Sequence, residues 1–325
     1  MKTIVCTSLA LALTGSVAFA QDALPQASSQ WYKDGEAAIQ AILDRQPNTN
    51  RAKNVILLIA DGNGVGTNYA TRLFDGQQKG MLGEENVLPY EPPEFYSALV
   101  KTYNINAQTP DSAPTAGSMN TGVKQRFNLI NLGEEAIHDD CSTVEGNQLA
   151  LFSEMMTEDI ATQLIDAMEA GTVDFAMGGG GRYFLPKDKE MGGLKGRRED
   201  NVDLVERATG LGAQFASDTA GFQSLKLDGS SPVLALFNNS HMEYEADRAD
   251  NDEPSLADMT KAAIEYLSKN EGGYYLEIEA GRVDHANHDG NAARAMRDGV
   301  AFAEAVAIAD ELTNDEDTLI IVTAD

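Results

Sequence analysis

Five short runs of apolar, often β-branched residues recur along this chain, with helical patterns between them. The runs are Val55–Ala60, Val173–Met177, Val233–Phe237, Tyr274–Ile278 and Leu319–Ala324. Helical spacing marks Thr67–Phe74, Ala116–Val123, Ile160–Glu169, Leu256–Ser268 and Ala292–Leu312. Near-continuous apolar strands suit burial on both faces, and strands alternating with helices pair in parallel. The expected fold is α/β, with a mostly parallel central sheet and helices on both faces. No internal repeat is present.

Three of the strands run into an acid: Asp61, Glu279 and Asp325. Open parallel sheets bind ligands beyond the carboxyl ends of their strands. If these strands are neighbours, three carboxylates converge on one crevice, which is electrostatically poor unless cations share it. Taken singly, each acid is an ordinary turn cap; the recurrence favours a divalent metal. Two residues after Glu279 comes Gly281-Arg-Val-Asp-His-Ala-Asn-His-Asp-Gly290. Asp284 and His288 are four apart, so one helical turn or a tight loop can aim both at one ion. Mixed oxygen and imidazole donors suit zinc. His285 points elsewhere on such a helix. The bland alternative is a polar surface loop.

A candidate nucleophile stands in Thr109-Pro-Asp-Ser-Ala-Pro-Thr-Ala-Gly117. Asp or Ser shortly before Pro signals a helix start. There, free amides and the helix dipole favour negative charge, so Ser112 is placed either to accept a phosphoryl group or simply to cap the helix. With four histidines in the chain, no His-based dyad is evident. A metal ion can instead lower the serine pKa. Gly178–Gly181 lacks the spacing of either nucleotide fingerprint and reads as a tight turn after a strand.

Outside these motifs, residues 1–20 read as a signal peptide: Lys2, an apolar stretch, then Ala18-Phe-Ala20. Export to a periplasmic or extracellular space follows, and no run is long enough for a membrane span. Residues 21–53 read as an N-terminal arm with an amphipathic stretch at Gly35–Leu43, and 54–325 as the α/β domain. A formal charge of −27 argues against nucleic acid and anionic membrane as partners. Of two cysteines, Cys6 falls in the signal, leaving Cys141 without a partner. His138 lies in a polar loop without an assigned role, and His241 reads as a satisfied loop residue, the alternative being a place near the site.

Together, Asn54–Gly64, Thr109–Thr115, Glu279–His288 and Thr323–Asp325 resemble, in the same order, the motifs of bacterial alkaline phosphatase. The resemblance extends from about Asn54 to Asp325. It implies an exported, metal-dependent phosphomonoesterase, often a homodimer, acting on small phosphate monoesters through a phosphoserine. Carried across, Ser112 is the nucleophile. Asp61 bridges one zinc and the magnesium site, and Glu279 binds magnesium. Asp284 and His288 bind the first zinc, and Asp325 the second, giving two zinc sites and one magnesium site.

The family pattern also differs in two places. There the last motif continues Thr-Ala-Asp-His, and another zinc-binding His follows far downstream; both lie past Asp325. The family also has tens more residues where Leu149–Glu158 here joins Gln148 to Asp159. That stretch supplies magnesium ligands, a phosphate-clamping arginine and a cysteine. The resemblance therefore implies an incomplete domain with weak or no activity. Two alternatives remain: a phosphodiesterase or phosphonate-type hydrolase of the same superfamily, or a non-catalytic acidic cation-binding protein.

Overall fold

In the computed structural model, strand β1 (Asn54–Ala60) lies at the centre of a three-stranded parallel sheet. The structure describes residues 25–129, 157–248 and 252–325. The expected signal peptide, His138, Cys141 and Leu149–Met156 of the internal join lie outside them. Two compact units divide the chain, Met1–Pro47 and Asn48–Asp325. The first contains helix α1 (Gln30–Asp44), which covers the expected Gly35–Leu43 stretch and has no buried residue; Trp31 and Leu43 are exposed.

In the second unit, β7 (Tyr275–Glu279) and β8 (Thr318–Ala324) flank β1, both parallel to it. Register pairs Ile59 with Glu279 and Ala60 with Ala324. The strands therefore end level, and Asp61 and Asp325 leave the sheet side by side. The central position of β1 explains its unbroken apolar sequence: Ile56 through Ala60 are all buried. Its neighbours differ from the expectation of burial on both faces. In β7, Leu276 and Ile278 are buried while Tyr275, Glu277 and Glu279 are exposed. In β8, Leu319 and Ile321 are exposed, while Ile320 and Val322 pack on the core. The physical reason is cover. Helices α7 (Leu256–Leu267) and α9 (Ala292–Glu311) close one face with Ile264, Phe302, Ala305 and Val306. On the other face, α3 (Ser112–Thr121) reaches β7, where Asn120 contacts Glu277 and Tyr275.

A second parallel sheet has the order β2 (Phe175–Gly178), β6 (Val233–Leu236), β5 (Gln214–Ala216). Hydrogen bonding thus divides the expected central sheet into two three-stranded parts, and a short antiparallel ribbon, β3 (Glu190–Met191) with β4 (Leu194–Lys195), adds to them. Helix α7 touches both β2 and β7, so the two sheets share a cover. Helices α4 (Thr157–Glu169) and α5 (Leu204–Gly210) pack on the second sheet through Ile165, Leu204 and Val205, all but fully buried. Helix α2 (Val65–Gln78) follows β1 and packs on α9. Among the described residues no helix is long and apolar enough to cross a membrane.

Gly178–Gly181 forms the expected turn. The Gly180 amide donates to Ser240 O at 2.6 Å, Gly181 to Asn238 O at 2.9 Å and Arg182 to Asn239 O at 3.3 Å. These amides are spent on the chain, so none forms an anion cradle. Gly180 sits at φ +79°, where a side chain is strained.

Asp298, on α9, is a buried acid. Its Oδ1 accepts from the Glu245 amide at 3.4 Å, while Oδ2 is buried without a partner. Burial, then the charge of Glu245, pushes its pKa to about 7. The folded state therefore holds a proton that the unfolded chain has lost, and stability falls as pH rises from about 4 to 7. Asp298→Asn is expected to flatten that slope in thermal melts. It should leave stability near pH 4 little changed and raise it at pH 8 by on the order of 1 kcal/mol.

Candidate active site

The chain leaves β1 through Asp61 and Gly62, and Gly62 turns it at φ +63°. A Cβ there would lie 2.5 Å from Asp284 Oδ1, so the turn is tight because Asp284 packs directly on it. The Gly62 amide donates to Asp325 Oδ1 at 3.1 Å. Asp61, Asp325 and Asp284 are thus gathered around one glycine. Helix α8 (Arg282–His288) begins three residues after β7 ends, which explains how Asp284 reaches the strand ends. Asn287, on the same helix, reaches Gly62 O at 3.4 Å.

Ser112 is the first residue of α3, with Asp111 as its N-cap residue. The Asp111 side chain makes no capping bond; it accepts instead from the Asn128 amide at 3.1 Å. Amides of a first helical turn have no intrahelical acceptor, and Pro114 has no amide to contribute. Ser112 Oγ donates to Asp61 Oδ1 at 2.9 Å. One turn further on, Thr115 Oγ1 donates to Asp111 O at 2.7 Å and stands 3.2 Å from Asp325 Oδ2. Sequence reasoning passed over Thr115. Its i+3 spacing from Ser112 on a helix was the available signal.

Charge crowding is evident in the acids. Burial, then a hydrogen bond and repulsion from Asp325, raise the Asp61 pKa to about 8; the Ser112 hydrogen bond offsets a little. Glu279 is exposed at the strand end, yet the protein around its carboxyl still raises its pKa, and Asp325 adds to the shift. Asp284 Oδ2 lies 3.4 Å from His288 Nε2, the expected one-turn pairing, with the imidazole largely in solvent. Oxygen donors and one imidazole are chemically suited to a divalent cation, and like-charge crowding is what a cation relieves. Among the described residues, however, no group of three or more His, Cys, Asp or Glu stands in a metal-holding arrangement.

The two other histidines of this region meet. His241 packs against His285 with ring centroids 4.4 Å apart and the rings tilted by 58°. His285 follows Asp284 by one position in α8, about 100° round the helix, and meets His241 rather than His288. His241 is therefore more than an isolated loop residue. Its pKa is lowered, first by burial, then by the positive charges of His285, Arg282 and Arg182. Arg282 Nη1 lies 3.2 Å from His285 Nδ1, and the guanidinium rests 3.6 Å from the Tyr244 ring centroid. No local sequence signal joins residues so far apart.

The class of protein is a parallel α/β fold that sets a helix-start serine against a strand-end carboxylate. The family model for alkaline phosphatase matches residues 52–150 and 145–325, and the chain belongs to that family. It is 31% identical to the chicken (Gallus gallus) tissue-nonspecific alkaline phosphatase, over 100% of this chain and 73% of the relative. That alignment runs over 382 residues, longer than this chain, so the relative carries residues with no counterpart here. Identity to the human (Homo sapiens) tissue-nonspecific isozyme is 32%, over 91% of this chain and 67% of the relative. Thermus thermophilus alkaline phosphatase shares the fold with a TM-score of 0.67 at 23% identity, over 87% of this chain and 61% of that structure.

Gly62→Ala is expected to destabilise the protein by about 1–3 kcal/mol, the cost of a strained φ plus the clash with Asp284. Urea unfolding measures it. Gly64→Ala, with open space around its Cβ, is the matched control.

Proposed function

We propose that this chain is a phosphomonoester hydrolase in which Ser112 accepts the phosphoryl group. The observation that carries the reading is the 2.9 Å hydrogen bond from Ser112 Oγ to Asp61 Oδ1 at the first turn of α3. That bond directs the hydroxyl proton toward Asp61 and leaves the oxygen lone pairs open to phosphorus. Oγ forms the new P–O bond, and the ester P–O bond breaks. The leaving oxygen takes a proton to become an alcohol. Water then attacks the phosphoserine, restoring the serine hydroxyl and releasing inorganic phosphate. First-turn amides and the positive end of the α3 dipole stabilise negative charge on the transferred group.

Asp61, Ser112, Glu279, Asp284, His288 and Asp325 are the residues that would hold cations, with zinc at two positions and magnesium at one. Bound there, divalent ions supply Lewis acidity and lower the pKa of a hydroxyl or a water. The protein's own part is to gather the carboxylates and to fix the Ser112 proton on Asp61. Among the described residues near Ser112, His288 is the imidazole donor paired with a carboxylate. An oxygen-rich set of this kind binds zinc weakly, so we expect low activity from this 325-residue chain. We also propose small phosphate monoesters as substrates, an exported location and assembly as a homodimer.

Brief incubation with radiolabelled p-nitrophenyl phosphate at acid quench should leave an acid-stable label on the wild-type chain. Ser112→Ala should reduce that label to background. Label retained by the variant would place the nucleophile elsewhere. Hydrolysis of p-nitrophenyl phosphate should be slow, and EDTA should reduce it at least about tenfold. Turnover indifferent to EDTA would remove the metal from the proposal.

A further inference from the structure

Arg182, His241, Arg282 and His285 stand together beside α8, and none of the four pairs with a carboxylate among the described residues. Several bases elsewhere do meet acids. Lys187 meets Glu199, Arg207 meets Asp166, Arg248 meets Glu245 and Arg294 meets Asp247. What sets this group apart is that four basic side chains gather in one place in a chain with 51 acidic residues against 24 Lys and Arg.

The arrangement is built rather than loose. Backbone bonds from Gly180, Gly181 and Arg182 strap the turn after β2 to residues 238–240. Arg182 Nε donates to Asn239 O at 2.8 Å, which holds the guanidinium next to His241. From the other side, α8 presents His285 against His241 at 4.4 Å and Arg282 at 3.2 Å from His285. Tyr244 supports Arg282 from below with its ring, and its hydroxyl is held by Asp289 Oδ2 at 3.1 Å. His241 is exposed and the other three are half-buried, so the group is open to solvent. Bringing like charges together costs free energy that a bound anion recovers. Two guanidinium groups with imidazole donors between them match the oxygens of a phosphate. The cluster also borders the site already described, since His285 directly follows Asp284 in α8.

We propose that this cluster is an anion subsite that receives a second phosphate group carried on the leaving alcohol. The favoured substrates are then small organic bisphosphates rather than monoesters of uncharged alcohols. This rests on the reading of Ser112 as the nucleophile, but the subsite is measurable without turnover.

The full chain carrying Ser112→Ala is titrated by calorimetry with fructose 1,6-bisphosphate and, separately, with inorganic phosphate. The bisphosphate is expected to bind at least about tenfold more tightly. Adding Arg182→Gln should weaken bisphosphate binding about tenfold and leave inorganic phosphate unchanged. His241→Asn, at an exposed position, should act in the same direction and guards against a folding defect in the first variant. Equal affinity for both probes, or bisphosphate affinity unmoved by both substitutions, overturns the subsite. Phosphoenzyme trapping on the chain with Ser112 intact tests the other reading. If no label forms while Arg182-dependent bisphosphate binding persists, the subsite stands and the hydrolytic reading falls.

Discussion

Repulsion among carboxylates at the ends of a parallel sheet governs this molecule's chemistry. Asp61 and Asp325 leave adjacent strands in register, Asp284 packs on the glycine between them, and Glu279 ends the third strand. The sheet's hydrogen-bond register sets the spacing, so the acids cannot separate without breaking strand pairing. What the protein can adjust is protonation: burial first, and then the neighbouring Asp325, raises the pKa of Asp61 and of Glu279. A serine hydroxyl donating into this cluster relieves it slightly. A divalent cation would relieve it more, which is why the proposed chemistry and the electrostatics point the same way.

Much of this was legible because it is written in local patterns. Ile56–Ala60 is buried without a break, and a strand of that kind is hard to place anywhere except the middle of a sheet. Ser112 before Ala-Pro opens a helix as its context requires. Asp284 and His288 face one another because helical periodicity leaves little choice. By contrast, the one-sided exposure of β7 and β8 depends on which helices cover each face, a tertiary outcome that strand composition alone does not specify. Leu319 and Ile321 have strand propensity wherever they point. The division into two sheets likewise depends on pairing between distant segments.

The site shows the same boundary. Strand-end acids announce themselves, since each follows an apolar run. Thr115 and the Gly62 amide do not, because hydroxyls and glycine amides occur throughout any chain and gain meaning only when a carboxylate lies opposite. The meeting of Arg182, His241, Arg282 and His285 is the clearest case. Their contact depends on a glycine turn strapped to a loop some sixty residues later and on a helix from another part of the chain.

The position of β8 has a dynamic consequence. It is hydrogen-bonded to β1 on one side, its other edge has no partner among the described residues, and two of its large side chains face solvent. Strands held in that way open more readily than central ones, in excursions far smaller than global unfolding. Each such opening carries Asp325 away from Gly62 and Thr115. Fraying of this ladder and displacement of the Asp325 carboxylate are therefore one and the same equilibrium.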